Sequence, residues 1–489
     1  MSTEEDSSTL KRKAVRGGVF AMASRLATII IQIASIIALS RLLSPDDFGI
    51  IAMVTAVTAF MGLFRDMGLS TASIQRVDLS FEHTNALFWL NVLAGSLLML
   101  IMMAAAPLVS WFYGRAELTG VTVLLATTFL VSSVGAQHAA LMQRDLRIAP
   151  KALADISGAA ITLLVSVSLA LLDYGFWSLA WGTVLGAVVT TALYFKGSSF
   201  IPGRPARVGG MRELIGFGAN VTAFEIVNYF HRNLDRVLIG KVWGADVLGN
   251  YSRAYQMMML PISSIRAPIN SIALPVLSRL KDSPKEFRQY YSRIASLLAF
   301  LSMPLMAFLV VNSEDVITIA LGSQWHSVAP IFALLGITGF IQPVASLRGL
   351  VLLSLGRTSQ YLHWGLLNAA VASISFFVGV QWGPTGVALA YAIANYLLLY
   401  PSLRYFFRET PLYTRDFFSS IAIPGIASLV AAAAVVAISR NVGGMPDSPL
   451  IRLSIAGTAF SIVFFLSVVL LPGGTKTLKS FHSLARMIR

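Results

Sequence analysis

The chain has 489 residues, of which 56% are hydrophobic and only 12% are charged, and it carries a formal net charge of +14. Soluble domains are about a quarter charged, so this composition is typical of a membrane protein and argues against a soluble enzyme. The absence of cysteine excludes disulfides, thiolate metal sites and cysteine nucleophiles. An excess of basic residues can indicate a nucleic-acid partner. In a membrane protein its commoner cause is basic cytoplasmic loops, so we predict no nucleic-acid partner.

Apolar segments follow one another along nearly the whole chain after a polar N-terminal tail at 1–16. Crossing the hydrocarbon takes about 20 apolar residues in a helix. The first apolar segment is too long for a signal peptide and has no small-residue cleavage pattern, so we predict a retained helix. About fourteen helices joined by short loops are predicted, and they leave no stretch for a soluble catalytic domain. They lie at about 17–42, 48–74, 84–112, 118–142, 150–172, 176–196, 213–240, 246–278, 288–311, 327–355, 359–380, 384–407, 417–439 and 450–472.

The distribution of lysine and arginine orients these helices. With the N-terminus inside, the predicted inner segments carry 25 of the 37 basic residues, and the outer segments carry only 5. Because cytoplasmic loops hold the excess of Lys and Arg in membrane proteins, this bias predicts that both termini are cytoplasmic. An odd number of helices would scramble the asymmetry, which favours an even number such as fourteen.

The chain repeats itself at an offset of about 200 residues. RLLSPDDFGI at 41–50 matches KVWGADVLGN at 241–250, so that Gly49 corresponds to Gly249. Six helices separate the copies, and an even number means that both enter the membrane in the same direction, related by an axis along the membrane normal. We therefore predict an all-α integral membrane fold of two six-helix lobes followed by two further helices. The predicted parts are a cytoplasmic tail at 1–16, an N-lobe at 17–196, a Gly/Pro/Arg-rich cytoplasmic linker at 197–212, a C-lobe at 213–408, and helices 13 and 14 with a basic cytoplasmic tail at 409–489.

Seven arginines belong to neither the inner nor the outer segments and lie within the predicted spans. An arginine near the bilayer centre costs at least about 2.5–3.5 kcal/mol on insertion scales, so we expect these side chains to face a polar interior. Guanidinium groups bind phosphate oxygens bidentately and stay charged at any working pH, so a cavity lined by them suits a diphosphate. The predicted substrate-binding residues are Arg25, Arg65 and Arg266 in the inner half, Arg232 and Arg253 in the outer half, and Gln32 and Tyr229 for the sugars. No catalytic residue, metal site or cofactor is predicted.

Several of these charges also have a structural interpretation. Arg232 and Asp235, three residues apart, can form an internal ion pair, and Arg65 beside Asp66 can form a self-neutralising pair. Arg348 near the predicted inner interface can anchor its helix by extending its charge toward water. The sequence leaves these alternatives open beside the cavity interpretation.

Four ordered stretches resemble a known family: ALSRLLSPDDFGIIAM at 38–53, FRDMGLSTASIQR at 64–76, ALFWLNVLAGSLL at 86–98 and NLDRVLIGKVWGADVLGNYSRAY at 233–255. They resemble the polysaccharide transporter family of the multidrug/oligosaccharidyl-lipid/polysaccharide exporter superfamily. Within it the chain is most similar to the Wzx-type lipopolysaccharide and exopolysaccharide flippases. The resemblance covers essentially the whole chain, and it implies two six-helix lobes forming a V with two extra C-terminal helices.

The resemblance also implies a function. Flippases of this kind move undecaprenyl-diphosphate-linked oligosaccharide repeat units across the bacterial inner membrane, by alternating access of a central cavity. The implied partners are that substrate, membrane lipids, and a polysaccharide polymerase with its export machinery. Glu225 near mid-membrane is a candidate for coupling transport to protons or sodium, with a neutral buried acid as the alternative.

Two other classes compete with this interpretation. A cation-coupled drug or small-molecule antiporter of the same superfamily would want acidic residues in its cavity, whereas this interior is net basic. A membrane glycosyltransferase would use an acidic residue such as Asp46 or Asp47 after the first helix. No sizeable outer loop is predicted to bind its acceptor, and aspartate at a helix start is ordinarily a cap. The sequence also lacks a Walker motif for an ATPase domain.

Overall fold

The computed structural model describes residues 23–66, 73, 80–205, 211–441 and 446–475, with the backbone alone at positions 66, 211–228 and 230–232. By its contacts the chain divides into two compact units, unit 1 at Met1–Gly249 and unit 2 at Asn250–Arg489. The regular elements throughout these described residues are helices, and no strand occurs among them. The all-α fold class predicted from the sequence is confirmed.

Unit 1 is built from long helices joined by short connections. They are α1 (Ala23–Leu42), α2 (Pro45–Asp66), α3 (Phe81–Tyr113), α4 (Glu117–Arg144), α5 (Ile148–Ala170), α6 (Phe176–Gly197) and the first part of α7 (Met211–Arg279). The helical backbone of α7 is interrupted at Gly244, which has a φ of 84°. Glycine adopts positive φ without steric cost, so the residue type allows the chain to break the helix there.

Unit 2 contains the second part of α7 and eight further helices of the described chain. They are α8 (Pro284–Val311), α9 (Ser313–Ala320), α10 (Val328–Ala345), α11 (Leu347–Ser354), α12 (Thr358–Gly379), α13 (Gly383–Phe407), α14 (Thr414–Asn441) and α15 (Pro449–Leu470). α8 packs extensively on α14 and α10. Its residues Phe287 and Tyr291 lie in a buried cluster with Phe417 of α14, so α8 is central to the core of this unit.

Twelve helical runs of the described chain are long and apolar enough to cross a membrane. The two longest, Asn233–Arg279 and Thr358–Phe407, each contain a residue with positive φ, Gly244 and Gly383. Both glycines fall between spans that the sequence predicts as separate helices. The protein is a multi-pass membrane protein, and the count of fourteen stays a prediction.

The start of α2 explains the aspartate pair that follows the first helix. The backbone N–H of Ser44 donates to Asp47 Oδ2 (2.9 Å), and the Asp47 N–H donates to Ser44 Oγ (3.3 Å), so the pair forms a capping box. Asp46 accepts two hydrogen bonds from the guanidinium of Arg115, at 3.1 and 2.9 Å. These hydrogen bonds raise the pKa of Arg115, so its guanidinium stays charged at any working pH. Both aspartates have structural partners, which favours capping over catalysis.

Small residues let α5 and α6 pack closely within unit 1. A Cβ atom on Gly158 would overlap the Thr190 hydroxyl, and one on Gly186 would overlap the Thr162 hydroxyl of the facing helix. Membrane helices commonly associate through such residues, because lipid provides no hydrophobic force between helices and close van der Waals contact is needed instead. Thr162 and Thr190 are half-buried at this contact and donate to the Gly158 and Gly186 carbonyls of their own helices, at 3.0 and 2.9 Å.

The predicted repeat has a structural counterpart in a reciprocal contact. Gly49 of α2 lies so close to Ala245 of α7 that a Cβ atom would overlap the Ala245 carbonyl oxygen. Gly249 stands in the same relation to the carbonyl oxygen of Pro45. At the offset of 200, positions 45 and 49 correspond to 245 and 249, so each segment touches the other with equivalent residues. A two-fold axis produces this type of contact.

Candidate functional site

Two of the predicted binding residues lie on an exposed face of α1. The side chains of Arg25 and Gln32 are exposed, and α1 becomes buried only toward its C-terminal end, as at Leu39. Thr28, between them on the same face, donates its hydroxyl to the Ser24 carbonyl at 2.9 Å. Arg25 makes no ion pair or hydrogen bond with any other described residue. Its charge is therefore accessible to a ligand from outside the packed interior of unit 1.

Arg65 borders a polar cavity inside unit 1. The cavity has a volume of about 430 Å³ and lies between α2, α4 and α6. Its walls carry small and hydroxyl-bearing side chains, and no carboxylate is among the lining residues, which are Arg65, Ser132, Ala136, Ala139, Ala140, Gln143, Ala187, Thr190, Thr191 and Tyr194. A guanidinium among hydroxyl and amide groups can bind an anion and donate further hydrogen bonds around it.

Hydrogen bonds fix the orientation of the cavity wall. Thr191 donates to the Val131 carbonyl at 3.0 Å, which joins α6 to α4, and Tyr194 donates its hydroxyl to Asp155 of α5. The other oxygen of Asp155 accepts from Lys151 at 3.0 Å. Both oxygens of Asp155 therefore have partners. Arg65 is the charged residue among those that line the cavity, so the lining is net positive.

Tyr229 is buried within unit 1. Its hydroxyl donates to the backbone carbonyl of Ala56 in α2, and its ring lies 5.4 Å from that of Phe60. In this structure the side chain therefore joins the first part of α7 to α2. Nearby, the carboxylate of Asp235 accepts from the backbone N–H of Arg236 at 2.8 Å.

The two predicted arginines of the second part of α7 differ in exposure. Arg253 is buried, with 7% of its surface exposed, and its guanidinium donates to Gln256 Oε1 at 2.6 Å, one helical turn away. Arg266 is half-buried in unit 2. The structure thus places Arg25 and Arg65 in unit 1 and Arg253 and Arg266 in unit 2.

The side chains of Glu225 and Arg232 lie outside the described residues, as does that of Asp66. The ion pairs considered for Arg232 with Asp235 and for Arg65 with Asp66 therefore stay predictions. Among the side chains that are described, no group of three His, Cys, Asp or Glu residues is placed to hold a metal ion.

Sequence reasoning missed most of the cavity around Arg65. Ser132 and Gln143 lie eleven residues apart on α4, and Thr190, Thr191 and Tyr194 lie on α6. Eleven residues are about three helical turns, so the polar residues of α4 fall on one face. That spacing indicates a polar face on α4, although it does not show which other helices complete the cavity wall.

The fold and these sites define a class of protein: a multi-pass α-helical membrane protein with polar, cationic positions inside its helical units. A family model described as "Polysaccharide biosynthesis protein" matches residues 38–330. Because the match spans more than half of the chain, the protein belongs to this family.

Individual relatives agree with the family match. The chain is 28% identical over 469 residues to the teichuronic acid biosynthesis protein TuaB of Bacillus subtilis (strain 168), covering 94% of this chain and 96% of the relative. It is 23% identical over 431 residues to the lipopolysaccharide biosynthesis protein WzxC of Escherichia coli (strain K12), covering 86% of each. The solved structure of the lipid II flippase MurJ in an inward closed conformation covers 92% of this chain and 98% of its own, with a TM-score of 0.77 at 12% identity. The expected family and the two-lobed transporter fold are thereby confirmed.

Proposed function

We propose that this protein is a flippase for undecaprenyl-diphosphate-linked oligosaccharide repeat units, which it moves across the bacterial inner membrane for export of exopolysaccharide or lipopolysaccharide. Membership of a polysaccharide biosynthesis family and a fold shared with a lipid II flippase support this proposal. The observation that carries the substrate class is the placement of Arg25 and Arg65. The first guanidinium is exposed, and the second borders a cavity without carboxylates.

The chemistry of the substrate explains why arginine is needed. A diphosphate linked to lipid and sugar keeps its negative charge at neutral pH and must leave the aqueous headgroup layer during transport. A hydrogen bond to a charged group contributes about 1.5–3 kcal/mol, so two guanidinium groups offset part of that desolvation cost. Hydroxyl and amide groups beside them, such as Gln32 of α1 and Thr190 of the cavity, supply neutral donors and acceptors that suit sugar hydroxyls.

Transport in this proposal follows alternating access. Arg25, Arg65 and Arg266 draw the diphosphate from the cytoplasmic leaflet while the polyprenyl tail stays in the bilayer. Arg232 and Arg253 form the second set of cations, reached when the protein opens to the other side, with Tyr229 and Gln32 contacting the sugars. Arg253 and Tyr229 are buried in the present structure, so this step requires a change in the packing around α7. Both termini are cytoplasmic in this scheme.

Glu225 is proposed as the residue that couples transport to an ion gradient. A carboxyl group in the membrane interior changes its protonation when its surroundings change, which is how a gradient can drive a conformational cycle. The comparison of Glu225→Gln with wild type over a range of proton motive force tests this role. Export that responds identically in both would remove Glu225 from the mechanism.

The alternative function is a cation-coupled drug or small-molecule antiporter. Such a protein needs acidic groups facing the ligand, whereas the cavity around Arg65 is lined by a cation, hydroxyls and an amide. An enzyme is disfavoured because both aspartates at the start of α2 are held by structural partners. The protein is therefore assigned as a transporter.

A deletion strain tests the proposal in the cell. Loss of a flippase leaves lipid-linked repeat units on the cytoplasmic leaflet. Glycosidases added on the periplasmic side of the membrane cannot reach them there. We expect the deletion strain to accumulate protected repeat units, wild type to relieve the accumulation, and Arg25→Ala or Arg65→Ala to relieve it poorly. Arg408→Gln, at an exposed position outside these sites, serves as the control. Repeat units that reach the periplasmic leaflet normally without the protein would contradict the assignment.

A further inference from the structure

A cationic cleft lies at the start of α8 in unit 2, and the proposed transport cycle does not use it. It has a volume of about 730 Å³. One wall is a face of α8 that carries Lys285, Arg288 and Arg293, and the other wall comes from Pro411 and Tyr413, just before α14. All of these residues belong to one compact unit, so the cleft is a feature of that unit alone.

The sequence of α8 produces this wall through its helical period. The cleft-lining positions 285, 288, 289, 292, 293 and 296 recur every three or four residues, so they share one face over about three turns. The opposite face carries Phe287, Tyr291 and Ala295, all buried in the core. A membrane-crossing helix with a polar face this long needs a polar partner for it, because the hydrocarbon provides none.

The charges of the cleft are not balanced within the protein. Arg288 donates to Asp416 Oδ1 at 2.8 and 2.6 Å and lies 5.0 Å from the centre of the Tyr413 ring. The second oxygen of Asp416 accepts the backbone N–H of Tyr413 at 2.9 Å, so this carboxylate is fully engaged. Lys285 and Arg293 make no ion pair with any described residue. The cleft therefore holds two cations whose counter-charge comes from elsewhere.

The depth of Arg293 indicates where that counter-charge lies. It follows Pro284 by nine residues, which is roughly 13 Å along the helix axis. An exposed arginine at this level extends its guanidinium toward the phosphate layer of a bilayer, with its aliphatic stem along apolar surface. Ser292 and Ser296 on the same face add hydroxyl donors. A phosphate group bound by Arg293 at the membrane surface can accept further hydrogen bonds from a neighbouring serine hydroxyl.

We propose that this cleft binds the phosphate headgroup of an anionic membrane lipid. Basic pockets between membrane helices are suited to such headgroups, and the charge bias of the sequence predicts that this end of α8 faces the cytoplasm. The site is separate in sequence and location from Arg25 and Arg65, so it does not depend on the transport proposal. Its role is to hold α8 and the connection before α14 against the lipid surface.

Lipid binding to the full-length purified protein tests the site. The measurement is native mass spectrometry with added phosphatidylglycerol, phosphatidylcholine or inorganic phosphate. We expect wild type to bind phosphatidylglycerol at least tenfold more tightly than phosphatidylcholine. Each of Lys285→Gln and Arg293→Gln should weaken phosphatidylglycerol binding by about fivefold, the effect of one cation near an anionic surface.

Three matched variants make the result decisive. Lys281→Gln and Arg408→Gln remove exposed cations that do not line the cleft, and both should bind within twofold of wild type. Arg293→Lys keeps the charge and should recover most of the binding lost in Arg293→Gln, provided that each variant melts at the wild-type temperature. Equal binding of both lipids would overturn the proposal, and so would wild-type phosphatidylglycerol binding by the double variant Lys285→Gln/Arg293→Gln. Displacement of the lipid by millimolar inorganic phosphate would instead assign the cleft to a soluble anion and would also overturn it.

Discussion

Two arginines inside membrane-crossing helices, Arg65 in unit 1 and Arg348 in unit 2, have very different surroundings. Arg65 borders a cavity of about 430 Å³ lined by hydroxyl groups. Arg348 is half-buried, donates to Ser402 Oγ at 2.8 Å and lies 5.8 Å from the centre of the Phe406 ring. The same residue type thus borders a cavity in one unit and contacts large, closely packed side chains in the other.

The size of the neighbouring side chains makes this difference. Four alanines line the cavity around Arg65, and they leave space that larger residues would fill. Around Arg348 the interior is occupied by large side chains, including Phe406, Leu403 and Leu347, which belong to one buried cluster. Because protein interiors are close-packed, we expect an arginine with such neighbours to contribute to stability rather than to ligand binding. The role of an intramembrane charge therefore depends on the side chains around it.

The largest effect is expected for Arg65→Ala. Removing the guanidinium should lower the flipping rate per folded molecule about tenfold to a hundredfold, because a charged hydrogen bond to the diphosphate contributes about 1.5–3 kcal/mol. The melting temperature should stay near that of wild type, since the cavity already contains open space. Reconstituted transport and thermal unfolding in detergent measure the two quantities. Unchanged transport in Arg65→Ala would show that Arg65 does not bind the substrate.

The opposite pattern is expected for Arg348→Ala. Loss of the side chain leaves a void beside the aromatic cluster and removes the bond to Ser402, which should cost about 2–3 kcal/mol in the free energy of unfolding. Transport per folded molecule should stay within about twofold of wild type. Arg348→Met keeps most of the volume and removes a buried charge that has no carboxylate partner among the described residues, so we expect stability close to wild type. If Arg348→Ala were as stable as wild type but had lost transport, Arg348 would belong among the ligand-binding residues.

A somewhat smaller effect is expected at the reciprocal glycine contact of unit 1. In Gly49→Ala the new methyl group would overlap the carbonyl oxygen of Ala245, and a backbone atom cannot move aside as a flexible side chain does. We expect the free energy of unfolding to fall by about 1–2 kcal/mol. Gly365→Ala is the matched control, because nothing lies within 4 Å of its added methyl group, and it should be neutral or slightly stabilising. Equal behaviour of the two variants would mean that α2 and α7 do not pack as described.

The smallest effect is expected for Asp46→Asn. The ion pair with Arg115 is partly exposed on both sides, with 35% and 39% of the two side chains accessible, so solvent screens most of its energy. We expect a loss of no more than about 1 kcal/mol in stability, and transport close to wild type. Complete loss of polysaccharide export in a stable Asp46→Asn protein would revive the glycosyltransferase interpretation.

Much of the fold could be predicted because it depends on local patterns. The apolar segments indicated the helices, and the matching stretches at 41–50 and 241–250 indicated the repeat. The structure adds that these two stretches meet through Gly49 and Gly249. The break at Gly244 lies between two predicted spans. These features follow from side chains near one another in the chain or from an internal repeat.

The cavity around Arg65 could not be predicted in the same way. Its wall combines α2, α4 and α6, and alanines, which carry no chemical signal, create its volume. The packed surroundings of Arg348 could not be predicted either, because depth in the membrane does not reveal which side chains surround a residue. Tyr229 is a similar case, since its bond to the Ala56 carbonyl depends on the packing of α7 against α2.

Recognition of the diphosphate by arginine can be tested by comparing two substrates in proteoliposomes. The measurement is the flipping rate of an undecaprenyl-diphosphate oligosaccharide against the same oligosaccharide on a monophosphate. We predict that wild type moves the diphosphate at least tenfold faster and that Arg65→Ala loses most of this preference. Equal rates for both substrates in wild type, or an undiminished preference in Arg65→Ala, would contradict the account.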